Sequence, residues 1–207
     1  MAIRPLATAY DALVEHPRLA ELWPEYLIQQ HEIIRATVPL TAAALKRSRN
    51  LVETDALAAP LVAYLEEHAE EEAGHDETLL DDLELLGVDR ATVAARMPSP
   101  TVAALVGSQY YWILHRHPVA FLGFVALMEG YPPTPELIET LIERTGFPRE
   151  AFRTYIEHGA LDPGHRDHLD ETLDSLPLTA EDESMLGVSA IASSDLAGRA
   201  LRELLDD

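Results

Sequence analysis

The sequence predicts an all-α protein, a single-domain helical bundle of seven to nine helices over residues 1–207. Three observations carry this. Apolar residues recur three and four apart along almost the whole chain, the spacing of helices packed on one face. No segment sustains strand-like alternation with β-branched residues, and no Asn-Gly or Asp-Gly hairpin dipeptide occurs. Proline and glycine fall between the periodic segments, where helices start and stop. No linker, low-complexity tract or strict internal repeat divides the chain, and its length suits one domain with a sizeable core.

The elements follow in order. Pro17 and Pro24 suit first-turn positions, where a missing N–H costs nothing. A helix is expected from Pro24 towards Thr37 and a second over Leu40 to about Ser48. Thr54 or Asp55 opens a long helix that ends near Leu86, with Gly87 as its stop and Pro60 a kink near its start. Ser99 caps the next helix and Pro100 takes its first position. It reaches His115, and Pro118 breaks it. Val119–Gly130 forms a very apolar helix. Tyr131-Pro-Pro connects to a short helix from Pro135 to Arg144. Pro148 opens a long helix to about Leu176. Thr179 caps the last one, where Glu181 to Glu183 complement the helix dipole.

Composition narrows the function. Fifteen Lys and Arg stand against 36 Asp and Glu, a net charge of −21. A chain of that sign does not bind nucleic acid through phosphate contacts, and it is repelled by anionic membranes. There is no cysteine, which excludes disulfides, thiolate metal sites, iron–sulfur clusters and a cysteine nucleophile. Residues 1–20 lack the apolar core of a secretory signal. The longest apolar run, Val119 to Met128, falls far short of the ~18–20 residues that cross a bilayer. A cytoplasmic soluble protein is the expectation, with no nucleic-acid or membrane partner.

The chemistry concentrates on two helices. In the first, the apolar stripe Leu61, Leu65, Leu79, Leu83 and Leu86 is interrupted by His68, Glu72 and His75. In the second, Tyr155, Leu169, Leu173 and Leu176 frame His158, Asp162 and His165. The steps from Leu65 and from Tyr155 are the same, 3, 4, 3, 4, 4, 3. Each helix therefore turns a His/carboxylate/His triplet towards the core. A third helix adds Glu129 at the end of a run that is apolar on all sides. Burying so many ionisable groups costs several kcal/mol per ion unless something compensates. One or two divalent metals do so, and imidazole with carboxylate but no thiolate suits iron or manganese, with zinc also open. Pro163 lies inside the second triplet and removes the helical bond to the carbonyl of Gly159. Glu71, beside Glu72, is an alternative inward carboxylate, and His68 reads as a ligand or as a group that orients one. His117, His168, Glu70, Glu77, Asp81 and Asp82 read as a solvated face. Tyr110, Tyr111 and Trp112 read as core aromatics rather than a substrate wall.

At these residues the sequence resembles the haem-oxygenase-like dimetal oxidases and oxygenases, a branch of the haem oxygenase/TenA/PqqC-like fold. The resemblance rests on HAEEEAGHDETLLDDLELLG at 68–87, YYWILHRHPVAFLGFVALMEG at 110–130 and HGALDPGHRDHL at 158–169, and covers roughly residues 24 to 205. It implies a haem-oxygenase-like bundle, forming a homodimer, with a non-haem di-iron centre that binds O2. It implies two Fe(2+) per chain, with O2 as co-substrate. The substrates implied are small acids, amines, amino acids or lipid-like molecules, often in natural-product metabolism. Carried over by position, the ligands are His75, Glu129, His158, Asp162 and His165, with Glu72 as in members that have Glu-x-x-His on the first ligand helix. Other members place a glutamate seven residues before that histidine, where this chain has His68. Some draw a carboxylate from an earlier helix, for which Glu32 is the nearest candidate. The thiaminase-like branch needs a cysteine that is absent here. A haem branch would need an axial histidine, His16 or His31, and would leave the inward carboxylates uncompensated. A metal-free cofactor-processing or ligand-binding protein of the PqqC/TenA kind is the alternative.

Overall fold

A computed structural model describes residues 4–206. Among these residues the regular structure is helical throughout, in eleven α-helices and two short 3-10 turns. The helices are α1 (Arg4–Glu15), α2 (Leu19–Ile34), α3 (Thr37–Arg49), α4 (Ala58–Glu71), α5 (His75–Leu85), α6 (Arg90–Ala95), α7 (Pro100–His115), α8 (Leu122–Glu129), α9 (Pro135–Thr145), α10 (Arg153–Ser175) and α11 (Ala180–Asp206). None among the described residues is long and apolar enough to cross a membrane.

Local signals account for most of the boundaries. Ser99 Oγ accepts the Val102 N–H at 3.2 Å and Pro100 follows it, which starts α7. Thr134 caps α9 in the same way at 3.3 Å. Thr179 and Asp182 bond reciprocally at the head of α11, side chain to backbone N–H in both directions.

Several elements differ from the sequence reading: the helix expected over Val119–Gly130 opens as a 3-10 turn at Pro118–Phe121 before α8, and the one expected from Thr54 or Asp55 starts at Ala58. The long helix expected over 55–86 is two helices, because Gly74 adopts φ +92°. That left-handed conformation ends a helical path and favours glycine. Pro24 lies inside α2 rather than in its first turn. It costs one bond, to the carbonyl of exposed Ala20. Pro148 precedes a 3-10 turn over Arg149–Phe152, and α10 starts only at Arg153. The chain before Pro17 also forms a helix, α1, and the short α6 was not foreseen. Tyr111 is exposed, with Tyr110 and Trp112 half-buried, so this aromatic group is not a core cluster.

Two apolar clusters hold the bundle. One gathers Leu61, Leu65, Leu105, Phe121, Phe124 and Leu169. The other gathers Leu13, Trp23, Leu27, Leu79, Leu83 and Phe152. The α4–α5 path runs from the first cluster into the second, whereas α10 runs from the second into the first. Each crosses from one cluster to the other at its polar triplet. The two triplets therefore meet on antiparallel paths at the seam between the clusters. Helix α8 is pressed against α11, because a Cβ on Gly123 would lie 2.5 Å from the Leu186 carbonyl oxygen. This close approach of two backbones fixes the helix that carries Glu129.

Candidate metal centre

Four segments deliver the site: the C-terminal end of α4, the first turn of α5, the end of α8 and the middle of α10. His68, Glu72 and Glu129 form one buried group whose ligand-type atoms lie within 4.8 Å of one another. His68 Nδ1 is 3.2 Å from Glu129 Oε1. Glu72 follows the last residue of α4, and His75 opens α5. The turn at Gly74 folds them together, with His75 Nδ1 3.5 Å from Glu72 Oε2. His75 meets His158 edge to face, ring centres 4.7 Å apart. On α10, His165 Nδ1 is 3.7 Å from Asp162 Oδ1.

His158 shows how an imidazole is aimed. Its Nδ1 donates to the Thr154 carbonyl one turn back, at 2.8 Å. The proton on Nδ1 leaves Nε2 as a free lone pair, the tautomer a metal ligand needs. Thr154 is held in turn by Asp82 of α5, whose Oδ2 accepts the Thr154 N–H at 2.8 Å and whose Oδ1 accepts that of Arg153 at 3.3 Å. Phe152, the residue before α10, supplies no side-chain cap, and Asp82 does so from another helix. Asp82 is 2 % exposed, which corrects its reading as a solvated residue. His117 is corrected too: its Nδ1 accepts the Val119 N–H and its Nε2 lies 3.1 Å from Asp55.

The electrostatics are those of crowded anions with little water. Burial, then the charges of Glu72, Asp162 and Glu71, pushes Glu129 up to about 9. Burial and the Glu72 charge push Asp162 up to about 7. Burial drives His68 down to about 4. Glu72 is held below its ordinary range although burial opposes this, because His75, His68 and His158 surround it. His75 is raised by its contact with Glu72, and His158 is lowered by burial.

The fit to a metal can be tested on unsatisfied atoms. Both ring nitrogens of His68, both oxygens of Glu129, Asp162 Oδ1 and the Nδ1 atoms of His75 and His165 are buried without a hydrogen-bond partner. Buried polar atoms are rarely left so. Among the described residues His68, Glu72 and Glu129 bring such atoms within 4.8 Å of one another, the arrangement a divalent cation resolves, while His75, His158, Asp162 and His165 join no group of three at that distance. The residues present fit such a group.

Two sequence candidates, Glu71 and Glu32, do not join the group of His68, Glu72 and Glu129. Glu71 joins Glu67 and His168 in a second, more exposed triplet. Tyr64 separates that triplet from the centre, its ring stacked on His68 at 5.6 Å and tilted against His168 at 5.3 Å. Glu32 is half-buried on α2 and does not line the cavity described next. His31 is buried on the same helix and does not line it either. His16 accepts the Arg18 N–H in the turn before α2.

A cavity of about 390 Å³ opens from the centre. His68, Glu72, Glu129, His158 and Asp162 form one end, and the walls are mainly apolar. Tyr10, Tyr26 and Tyr155 line it as well. The sequence reading missed these tyrosines. Tyr155, three residues before His158, was the one visible sign, because it stands on the same stripe. Asp82 could have been found likewise, since it lies two turns beyond His75 on a face that is otherwise apolar.

Fold and site together define a helical protein of the haem oxygenase-like kind with an internal cluster of imidazoles and carboxylates. A domain of unknown function with a heme oxygenase-like fold from Shewanella denitrificans OS217 superposes with a TM-score of 0.78 at 20 % identity, over 97 % of this chain and 88 % of that one. A TenA homologue from Pseudomonas syringae pv. tomato DC3000 gives 0.74 at 14 % identity, over 100 % and 91 %. No curated protein matches the sequence. The model of the family described as iron-containing redox enzyme matches residues 25–194, and the chain belongs to that family.

Proposed function

We propose that this protein is an O2-activating, non-haem di-iron oxidase or oxygenase that acts on a small organic molecule in the cytoplasm. The observation that carries the reading is the set of unpartnered, buried imidazole and carboxylate atoms on α4, α5, α8 and α10. Glu72, His75, Glu129, His158, Asp162 and His165, with His68, would hold two irons. Bound ferrous iron supplies the electrons that let dioxygen react with a spin-paired substrate. The chain does the rest. Thr154 fixes the His158 tautomer, so that Nε2 needs no proton transfer before it ligates. Glu72 and Asp162 supply negative charge at the centre, and the apolar environment of Glu129 on α8 keeps bulk water away. The cavity orients the substrate against this end.

The test is metal content after anaerobic loading with iron(II), followed by optical spectra on exposure to air. Near two irons per chain and a transient absorbing species are expected. Asp162→Ala or His165→Ala should lower iron content and abolish turnover, and a variant with full iron and full rate would overturn the assignment. The likeness to the TenA homologue favours one alternative, a metal-free protein of the same fold whose cavity binds or processes a polar ligand. Failure to load iron under any condition would select it.

A further inference from the structure

The cavity has a second polar region, of different chemistry from the centre. Tyr10 of α1, Tyr26 of α2 and Tyr155 of α10 reach it from three helices. Their hydroxyls form a chain, Tyr10 to Tyr155 at 3.4 Å and Tyr155 to Tyr26 at 3.1 Å. Trp23 backs them, with its ring centre 5.3 Å from that of Tyr26 and 5.1 Å from that of Tyr155. Asp11 follows Tyr10, is exposed, and also lines the cavity, which puts a carboxylate at its rim.

Counting donors and acceptors decides what this region recognises. Three phenols carry three protons, and two are engaged within the chain. One phenol donor is left, on Tyr26, with the Gln30 amide one turn along α2, against unused lone pairs on the hydroxyl oxygens, the Gln30 carbonyl and the Asp11 carboxylate. Burial holds all three phenols in the neutral form. No lysine or arginine lines the cavity among the described residues. A carboxylate placed here would shed its water and gain no counter-ion. A protonated nitrogen would gain several oxygen acceptors, an anion and the faces of aromatic rings, the surroundings that bind ammonium groups. The net charge of −21 draws cations towards the mouth.

We propose that the cavity takes an amine, held by its ammonium group at Tyr10, Tyr155 and Asp11, with an apolar body that extends towards Glu72 and Glu129. Leu27, Phe124, Val125, Leu127 and Leu201 are the walls for that body. A cavity of this volume is within the range of small-ligand sites. The inference rests on the reading of the cavity as the substrate site, and it is independent of how many irons the centre holds.

The test uses the metal-free protein and calorimetric titration with n-octylamine, 1-octanol and octanoate, three probes with the same apolar chain. Octylamine should bind about tenfold tighter than either of the others. Asp11→Asn together with Tyr155→Phe should reduce that preference to less than about threefold. Glu67→Ala, which removes an exposed carboxylate outside the cavity, should preserve it. Octanoate binding as tightly as octylamine would overturn the proposal. So would undetectable octylamine binding, a preference untouched by the double variant, or one lost in Glu67→Ala. Loss of iron loading with the amine preference intact would fault the di-iron reading alone.

Discussion

His68 on α4 and Glu129 on α8 face each other at 3.2 Å, and neither makes a hydrogen bond. They are 2 % and 5 % exposed, so water does not satisfy them. The pair is stable together only with a shared cation or a shared proton, and these two conditions have different pH signatures.

Without metal, Glu129 carries the pH dependence. Burial lifts it to about 9 from an ordinary 4.5. The folded state then keeps a proton that the unfolded chain releases, so this contribution is full below the ordinary value and is lost as pH rises through the raised one. From about pH 7 to 9 the metal-free protein should lose roughly 2 kcal/mol of stability through this group. Glu129→Gln should flatten the loss. Urea unfolding across that range checks it, and equal slopes in the two proteins would refute it.

His68 should show opposite signs in two assays. Leucine there removes a buried, unpartnered imidazole, so metal-free His68→Leu should be as stable as the parent or more so. Its iron content after loading should nevertheless fall. A scaffold role predicts the first result without the second. Thermal unfolding and metal analysis on one preparation separate the two.

Asp82 never touches the centre, yet it should affect it. Alanine there leaves the Arg153 and Thr154 N–H groups without an acceptor, at a cost of about 1–3 kcal/mol each if buried. It also frees the first turn of α10, from which Thr154 orients His158. Asp82→Ala should therefore weaken iron(II) binding, and Asp82→Asn, which keeps an acceptor, should restore much of it. The downfield imidazole N–H resonance of His158 in the metal-free protein should broaden in the alanine variant and sharpen in the asparagine one.

Gly74 should resist substitution for conformational reasons alone. A Cβ there meets nothing within 4 Å, but φ is +92°. Gly74→Ala should cost about 1–2 kcal/mol. If the chain instead straightens into one helix, Glu72 and His75 stay neighbours but α5 is redirected relative to α4, and iron content drops. Denaturation midpoints and metal analysis report the two results independently.

Much of this was legible from spacing. Matching steps around Leu65 and Tyr155 located both triplets, and the apolar run before Glu129 located the third contributor. The family resemblance gave the fold. What the spacing concealed is instructive. A periodic stripe looks continuous whether or not the backbone is, so the break at Gly74 stayed hidden although glycine marked the place. Asp82 stands on an apolar face of its helix, but acidic neighbours in the chain masked that signal, and its partners at the start of α10 are supplied by the packing of α10 on α5. The tyrosine chain joins residues 145 positions apart, from Tyr10 to Tyr155, a distance that no local pattern spans. Glu71 and Glu72 differ by one residue, and the end of α4 at Glu71 separates their roles.

The seam between the two apolar clusters bears on how the protein matures. Each cluster is built from leucine and aromatic side chains that pack without help from the centre. A zinc finger collapses when stripped of its metal because it has little else to hold it. Here hydrocarbon packs on either side of the centre, and the ligands come together where the two clusters meet. If the centre takes iron as proposed, metallation would follow folding, and the chain would resist proteases before it meets the metal. The same order would let an iron-starved cell keep a reservoir of folded protein and activate it when the metal returns.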